Sequence, residues 1–370
     1  DAQPGIAFHE YFGGLGGHRF GRTVEEHTVV PGDGVGRDVA RQGDDGLLAS
    51  RLFLDPDPDP ATSFAERERL FALPRSSWED YDPALISVGG GVFPRSAKSI
   101  DITPEVRARL GIEDDVKSLT PAELIKRILT APVDLLWNGG IGTYVKSQTE
   151  TNSDVGDKAN DPVRVNGNSL RCKVVGEGGN LGLTQLGRVE ASRHGVRLNT
   201  DAIDNSAGVD TSDHEVNIKI LLDGAVRDGE LSEGDRDTLL VAMTDEVAAL
   251  VLADNYDQNV LLGNARWGAP ALISVHARMI ADLESRGILN RALEYLPDDE
   301  EITTRAAAHQ GLTSPELAIL AAYAKIALTG DLDGAGLSAD PWFAAYAVDY
   351  FPALLRERFA ERIATHPLRD

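Results

Sequence analysis

An α/β fold, a Rossmann-like doubly wound parallel sheet followed by an all-helical C-terminal region, is what three features of the sequence predict. Short apolar runs such as Val133-Asp134-Leu135-Leu136-Trp137 and Val174-Val175 end in turns rich in Gly and Asn. Helical segments with clear start signals lie between them, and from about Asn217 strand patterns give way to helical period. In an open α/β sheet, strands that end in Gly turns build a crevice at their carboxyl ends, where backbone comes close to a ligand. The expected division is a dinucleotide-type region over residues 1–216, with 1–51 its least legible part, and a helical region over 217–370.

Taken in order, the first fifty residues offer Gly13-Gly14-Leu15-Gly16-Gly17 and Gly32-Asp33-Gly34-Val35-Gly36, the latter after a plausible strand, Thr28-Val29-Val30. A GxGxxG turn between strand and helix seats a pyrophosphate on the helix N-terminus. Here Arg37 replaces the third Gly and Pro31 interrupts the strand end, so Gly32 and Gly34 stand as phosphate-turn candidates beside the alternative of a polar surface loop. Leu52-Phe53-Leu54 reads as a short buried strand ending in Asp55, about twenty residues after the glycines. That is the place of the acid that accepts ribose hydroxyls and disfavours a 2′-phosphate, which favours NAD over NADP. The run Asp55-Pro56-Asp57-Pro58-Asp59-Pro60 equally fits a solvated, Pro-kinked loop.

Ser63 to Leu70 predicts a short helix, and Gly89-Gly90-Gly91 a loop before Val92-Phe93. Arg95 and Lys98 are candidates for a carboxylate or phosphate contact, or surface cations. Thr103-Pro104-Glu105 opens a helix that Gly111 closes, and Thr120-Pro121-Ala122-Glu123 is a capping box before the apolar face Leu124, Ile125, Ile128 and Leu129. Pro132 ends that helix. The run to Trp137 then leads into a second crevice-forming turn, Asn138-Gly139-Gly140, in which Asn138 also has the local option of an Asx-turn. Residues 154–161 read as a polar entry near the site. Ser212-Asp213-His214-Glu215 has the form of a capping box before Val216, Ile218, Ile220 and Leu221. Beyond it, 221–226, 232–252, 272–283, 289–296, 314–328 and 342–363 show helical period, with Ser232 and Ser314 as start signals.

Composition sets bounds. A hydrophobic share of 42% and a charged share of 26% are ordinary for a globular chain of this size. The net charge of -23, from 36 basic and 59 acidic residues, argues against nucleic acid and anionic membranes as partners. An anionic substrate is compatible with it provided its pocket is locally positive. The single cysteine, Cys172, before an apolar strand, reads as a buried and inert thiol. No secretory signal pattern opens the chain and no apolar run reaches the ~18 residues that span a bilayer, so a cytoplasmic protein is expected.

The segments PRSSW (Pro74 to Trp78), GGGVFPRSAKSI (Gly89 to Ile100), WNGGIGTYVK (Trp137 to Lys146), DVGDKAND (Asp154 to Asp161), GEGGNLGLTQLGR (Gly176 to Arg188) and DNSAGVD (Asp204 to Asp210) resemble the large bacterial NAD-specific glutamate dehydrogenases. The likeness runs from about Leu52 to the C-terminus. It implies NAD-dependent oxidative deamination of L-glutamate to 2-oxoglutarate and ammonia, an oligomeric full-length protein several times longer, and a fragment in this chain. It also implies site roles. Asn138 and Gly139 would lie along the nicotinamide half of NAD. Glu177-Gly178-Gly179-Asn180 is similar to the Glu-Gly-Ala-Asn turn of smaller glutamate dehydrogenases, where the Asn approaches the carboxamide, and Gly for Ala is expected to be a mild change. Asn205 and Ser212 fall on the substrate side, Ser212 where the family contacts the distal carboxylate; the alternative for Ser212 is the helix cap. The family's two lysines and aspartate, which supply cation and base work, belong to a domain that precedes this one, and no stretch here is similar to them. The expectation is a chain that carries the cofactor half and is inactive alone.

Other chemistries have weaker signals. The 8 His lack the spacing of a zinc helix, and His214 beside Asp210, Asp213 and Glu215, the nearest to a metal cluster, is explained by the cap. GxSxG and Walker turns are absent from the sequence. The competing expectation is a non-catalytic Rossmann-like module with an assembly or regulatory role, whose altered first turn no longer holds dinucleotide.

Overall fold

The computed structural model describes residues 51–74, 76–140, 142–335 and 340–367, with a two-residue ladder between Val24–Glu25 and Ala40–Arg41. The described residues are mixed α/β as far as Leu198 and mainly helical from Asp201 onward. Among the described residues the strands form two-stranded ladders; a continuous doubly wound sheet is not among them.

Strand Arg51–Leu54 pairs antiparallel with Gly91–Pro94, placing Leu52 opposite Phe93 and Phe53 opposite Val92. Alternation sends Phe53 to one side, where it stacks on Trp78 at 4.6 Å and meets Tyr81 at 4.7 Å, and sends Leu52 and Leu54 into the main core. Of the Asp-Pro run, Asp59 caps the helix Pro60–Ala72 by accepting from Thr62 N at 2.8 Å, whereas Asp55 is buried. Thr103 starts Pro104–Leu110, and Gly111 ends it in the left-handed conformation at φ 61°. Thr120 and Glu123 cap Pro121–Leu129 reciprocally, and that helix buries the four apolar residues expected.

The central unit is parallel. Leu135–Asn138 pairs in parallel with Val174–Glu177, and on the other side of the latter Val174 bridges Arg197. The helix Gln185–Arg193, begun by Thr184, connects the second and third of these segments, which makes a βαβ unit. Trp137 lies across its neighbour strand, and its ring fills the space where Gly176 and Gly178 lack side chains. The crossover between the first two strands carries Val145–Lys146, parallel to Val165–Asn166, and the short helix Asn152–Val155. Buried Arg164 ties that crossover together by donating to Thr143 O at 2.8 Å, Asn152 Oδ1 at 3.0 Å and the Asp161 carboxylate. Cys172 is buried, and burial pushes its thiol up to about 11, as expected of an inert cysteine.

Two further cores are helical. One joins the middle and end of Thr244–Ser285 to Ser314–Ala335; the other joins Ser206–Arg227, the start of Thr244–Ser285 and Ala353–Ala364. The 42-residue helix Thr244–Ser285 carries Pro270 in its interior and belongs to both cores. No described helix is long and apolar enough to cross a membrane.

Three expectations are corrected. Residues 289–296 form turns, because the Asn290 side chain accepts from Ala292 N and Leu293 N and Tyr295 takes φ 53°. The period over 342–363 is cut into Pro341–Asp349 and Ala353–Ala364 by Pro352. Ser212 does not begin a helix: Ser206–Arg227 has already run for a turn and a half, so residues 216 and 217 also lie within one helix.

Candidate active site

The two parallel strands end side by side with Glu177 opposite Asn138. Their Gly-rich turns are joined by backbone, since Gly178 N and Gly179 N both donate to Asn138 O, at 2.7 and 3.1 Å. The Asn138 side chain is buried, accepts from Gly140 N at 3.3 Å in the Asx-turn, and leaves Nδ2 without a hydrogen-bond partner among the described residues. That Nδ2 packs against Gly182, where a Cβ would collide with it, so the unmade donor lies inside the protein and Asn138 is not among the residues that line the cleft beside Asn180 and Asn205. Gly139 lies beside it in the same turn.

Gly179 permits a close approach of the two turns' backbones. A methyl there would collide with the Gly140 carbonyl, so Gly in place of the resembled Ala is a requirement of this turn and not a mild change. Leu181 follows at φ 57° and is exposed, and its N–H is held by Asp201 Oδ2 at 2.8 Å. Asn205 Nδ2 donates to Asn180 Oδ1 at 3.1 Å, so two of the predicted site residues meet. Asn205 joins the short helix Asp201–Asp204 to Ser206–Arg227, at φ -105° and ψ 21°, outside the helical region.

Beneath the turn lies a buried polar network. The Glu177 carboxylate, only 1% exposed, accepts from Arg188 Nε at 2.6 Å and Nη2 at 2.9 Å, and from Leu183 N at 3.1 Å. Arg188 also pairs with Asp201 at 3.0 Å, and Asp204 accepts from Glu177 N at 2.9 Å. One guanidinium therefore faces three carboxylates. Burial, reinforced by Asp201 and Asp204 and opposed by Arg188, pushes the Glu177 carboxyl up to about 7. Burial likewise pushes Asp204 up to about 6. The carboxylate of Glu177 is engaged inside the protein, while Gly178 and Asn180 form the surface of the turn. The sequence offered no sign of the network, although Arg188 ends the GLTQLGR segment and Asp201 and Asp204 stand one helical turn apart.

Asn180 and Asn205 line a cleft of about 1070 Å³ that also includes Asp201, Asp210, Asp254 and Lys325. It is acidic, with Lys325 the cation among its lining residues, so the locally positive pocket expected for a dicarboxylate is not here. Ser212 is exposed on the helix that forms this wall. Asp55 is buried at the end of Arg51–Leu54; its Oδ1 accepts from Ser87 N at 3.1 Å and from the Ser87 hydroxyl, and Oδ2 has no partner among the described residues. Arg95 and Lys98 occupy the turn after Gly91–Pro94. Gly32 and Gly34 lie outside the described residues. Asn138 Nδ2 and Asp55 Oδ2 are a donor and an acceptor of the types a dinucleotide takes at its nicotinamide and ribose ends, but both are buried, they belong to separate ladders, and neither residue lines the cleft.

Residues 47–265 match the family described as bacterial NAD-glutamate dehydrogenase, catalytic domain, and residues 309–370 match glutamate dehydrogenase, C-terminal. The chain is 57% identical over 318 residues to the NAD-specific glutamate dehydrogenase of Pseudomonas aeruginosa. It is 54% identical over 318 residues to that of Halomonas elongata and 56% over 322 residues to that of Mycobacterium tuberculosis. Each match covers 86% of this chain and 20% of the relative, so the chain spans about a fifth of the length of the curated relatives it matches.

Proposed function

Because the chain belongs to the bacterial NAD-glutamate dehydrogenase family, we propose that it carries the NAD-facing part of an enzyme that oxidatively deaminates L-glutamate to 2-oxoglutarate and ammonia. The observation that carries this is the junction of the two Gly turns, where Asn138, Gly178, Gly179, Asn180 and Asn205 converge at the carboxyl ends of parallel strands. Asn138 Nδ2 and the Asn180–Asn205 pair would hold the nicotinamide and its ribose, Gly139 and Gly178 would let them approach, and Asp55 would accept from the adenosine ribose. Gly32 and Gly34 complete the proposal as its pyrophosphate turn. NAD, when bound, supplies the hydride acceptor. The chain's own part is to orient it, with Glu177 holding the turn from below and Ser212 presenting a hydroxyl to the distal carboxylate of glutamate.

The same proposal takes 1–216 as a Rossmann-like domain and 217–370 as a helical one, within a cytoplasmic homo-oligomer that has no nucleic-acid or membrane partner. The βαβ unit supports the first point, and the charge of -23 supports the last. Trp267, 90% exposed, with Tyr256 and Leu261 on the same helix, supports burial against further protein. The acidic cleft supports a division of labour in which the cations for the substrate carboxylates come from elsewhere in the whole protein.

Calorimetric titration of the chain with NADH, with NADPH as control, tests the proposal. Saturable binding that favours NADH is expected. Absence of saturable NADH binding overturns it, and glutamate-dependent NAD reduction by this chain alone, lost in Asn180→Ala, would overturn the division of labour.

A further inference from the structure

The wall of the cleft holds a cluster that the dinucleotide does not use. Asp210 and His214 stand one turn apart on Ser206–Arg227, and Asp254 faces them from Thr244–Ser285. One carboxylate oxygen from each aspartate and one imidazole nitrogen all lie within 4.8 Å of one another. His214 is 2% exposed, and neither ring nitrogen has a hydrogen-bond partner among the described residues. Its Nε2 is 4.0 Å from Asp210 Oδ1, too far for a hydrogen bond, and Asp210 Oδ2 is also buried, with the like-charged Asp254 carboxylate rather than a nitrogen donor beside Asp210. The ring is fixed by stacking on Tyr350, at 4.3 Å between centroids and 13° between planes. Buried imidazole nitrogens and carboxylate oxygens are costly when left unmatched, and a capping role for this segment is gone because the helix starts at Ser206.

We propose that Asp210, His214 and Asp254 bind a divalent transition-metal ion of the Zn2+ or Mn2+ kind, which fastens the two helices that wall the cleft. Metal bonds of ~2.1 Å bring two ligand atoms within ~4.2 Å, so a small rotation of the exposed Asp254 closes the site. A mixed set of two carboxylates and one imidazole suits these ions better than Mg2+, which takes oxygen ligands and keeps its waters. Asp213 and Asp257, in the same cleft, add negative potential that draws a cation in. Ser206–Arg227 begins next to Asn205, so an ion here also fixes the helix whose start contacts Asn180. The site stands on residues apart from those assigned to NAD, and metal binding is read separately from NADH binding.

The test is to strip the chain with a chelator, remove the chelator, and titrate with ZnCl2, MnCl2 and MgCl2 by calorimetry, with metal content measured after dialysis. One equivalent of Zn2+ or Mn2+ is expected, bound at least about tenfold tighter than Mg2+, with a thermal midpoint that rises with metal concentration. Asp254→Asn, at an exposed position, and His214→Phe, which keeps the stack on Tyr350, should each weaken binding by about tenfold or more. Co2+ should give visible absorption bands in the wild type that are lost in His214→Phe. No saturable binding, equal affinity for Mg2+, or undiminished binding in both variants overturns the proposal.

Discussion

Arg188 grips Glu177 through two parallel N–H···O bonds, 2.6 and 2.9 Å long, in the interior just below the Gly-rich turn. The same guanidinium reaches Asp201, so it is the counter-charge that lets three acids sit under one turn. Arg188→Met would leave those acids without a cation, and a cost of about 3–5 kcal/mol is expected in urea unfolding at neutral pH. Adding Glu177→Met to the same chain should restore part of the loss, because the least tolerable buried charge goes with it.

The pH dependence has a definite sign. Glu177 and Asp204 have folded values raised to about 7 and about 6, from ordinary values of 4.5 and 3.8. The folded chain therefore holds protons that the unfolded chain has released. Their contribution to stability is complete below the ordinary values and is lost as pH rises through about 6 and then about 7. Each group adds at most about 1.4 kcal/mol per pH unit within its window. Unfolding midpoints between pH 5 and 8 should fall across that range, and Asp204→Asn should flatten the lower part of the slope. A slope unchanged by the substitution would refute the assignment.

Gly179 should tolerate no methyl. Gly179→Ala drives a Cβ into the Gly140 carbonyl, and about 1–3 kcal/mol of destabilisation with loss of NADH binding is expected. Gly263→Ala is the control, since that helical glycine has open space around its Cβ position and should gain up to about 1 kcal/mol. Chemical denaturation and NADH calorimetry on both variants separate the two effects.

Asp55 keeps one carboxylate oxygen on Ser87 and one unmatched. Asp55→Ser should reduce the preference for NADH over NADPH by about tenfold, as removal of a single charged hydrogen bond to a ribose requires. Parallel titrations with the two cofactors measure it, and an unaltered ratio would make Asp55 a purely internal partner of Ser87.

Local signals in the sequence translated well where a single segment decides the outcome. The Thr120–Glu123 box, the Gly111 stop and the short strands that run into Gly turns at Asn138 and Glu177 all depend on neighbours in the chain, and all appear as read. What escaped depends on distant partners. Arg188 gains its role from Glu177, Asp201 and Asp204 together, and Asp254 meets His214 only because a 42-residue helix passes beside another. The capping motif at Ser212 failed for a related reason: Ser206 and Ala207 extend the helix upstream, so the motif's residues fall inside it.

Ser212 gives the most direct check on that difference. Were it a cap, Ser212→Ala would cost about 1 kcal/mol, because a backbone N–H would lose its acceptor. In the observed helix it is an exposed interior position, where Ala has the higher propensity, so a gain of a few tenths of a kcal/mol is expected. Urea unfolding of the variant decides between the two signs. NADH affinity should stay unchanged, because the hydroxyl is proposed to meet the substrate and not the cofactor. In the full-length enzyme the same substitution should raise KM for glutamate with less effect on kcat, the pattern of a contact made equally in the bound substrate and the transition state.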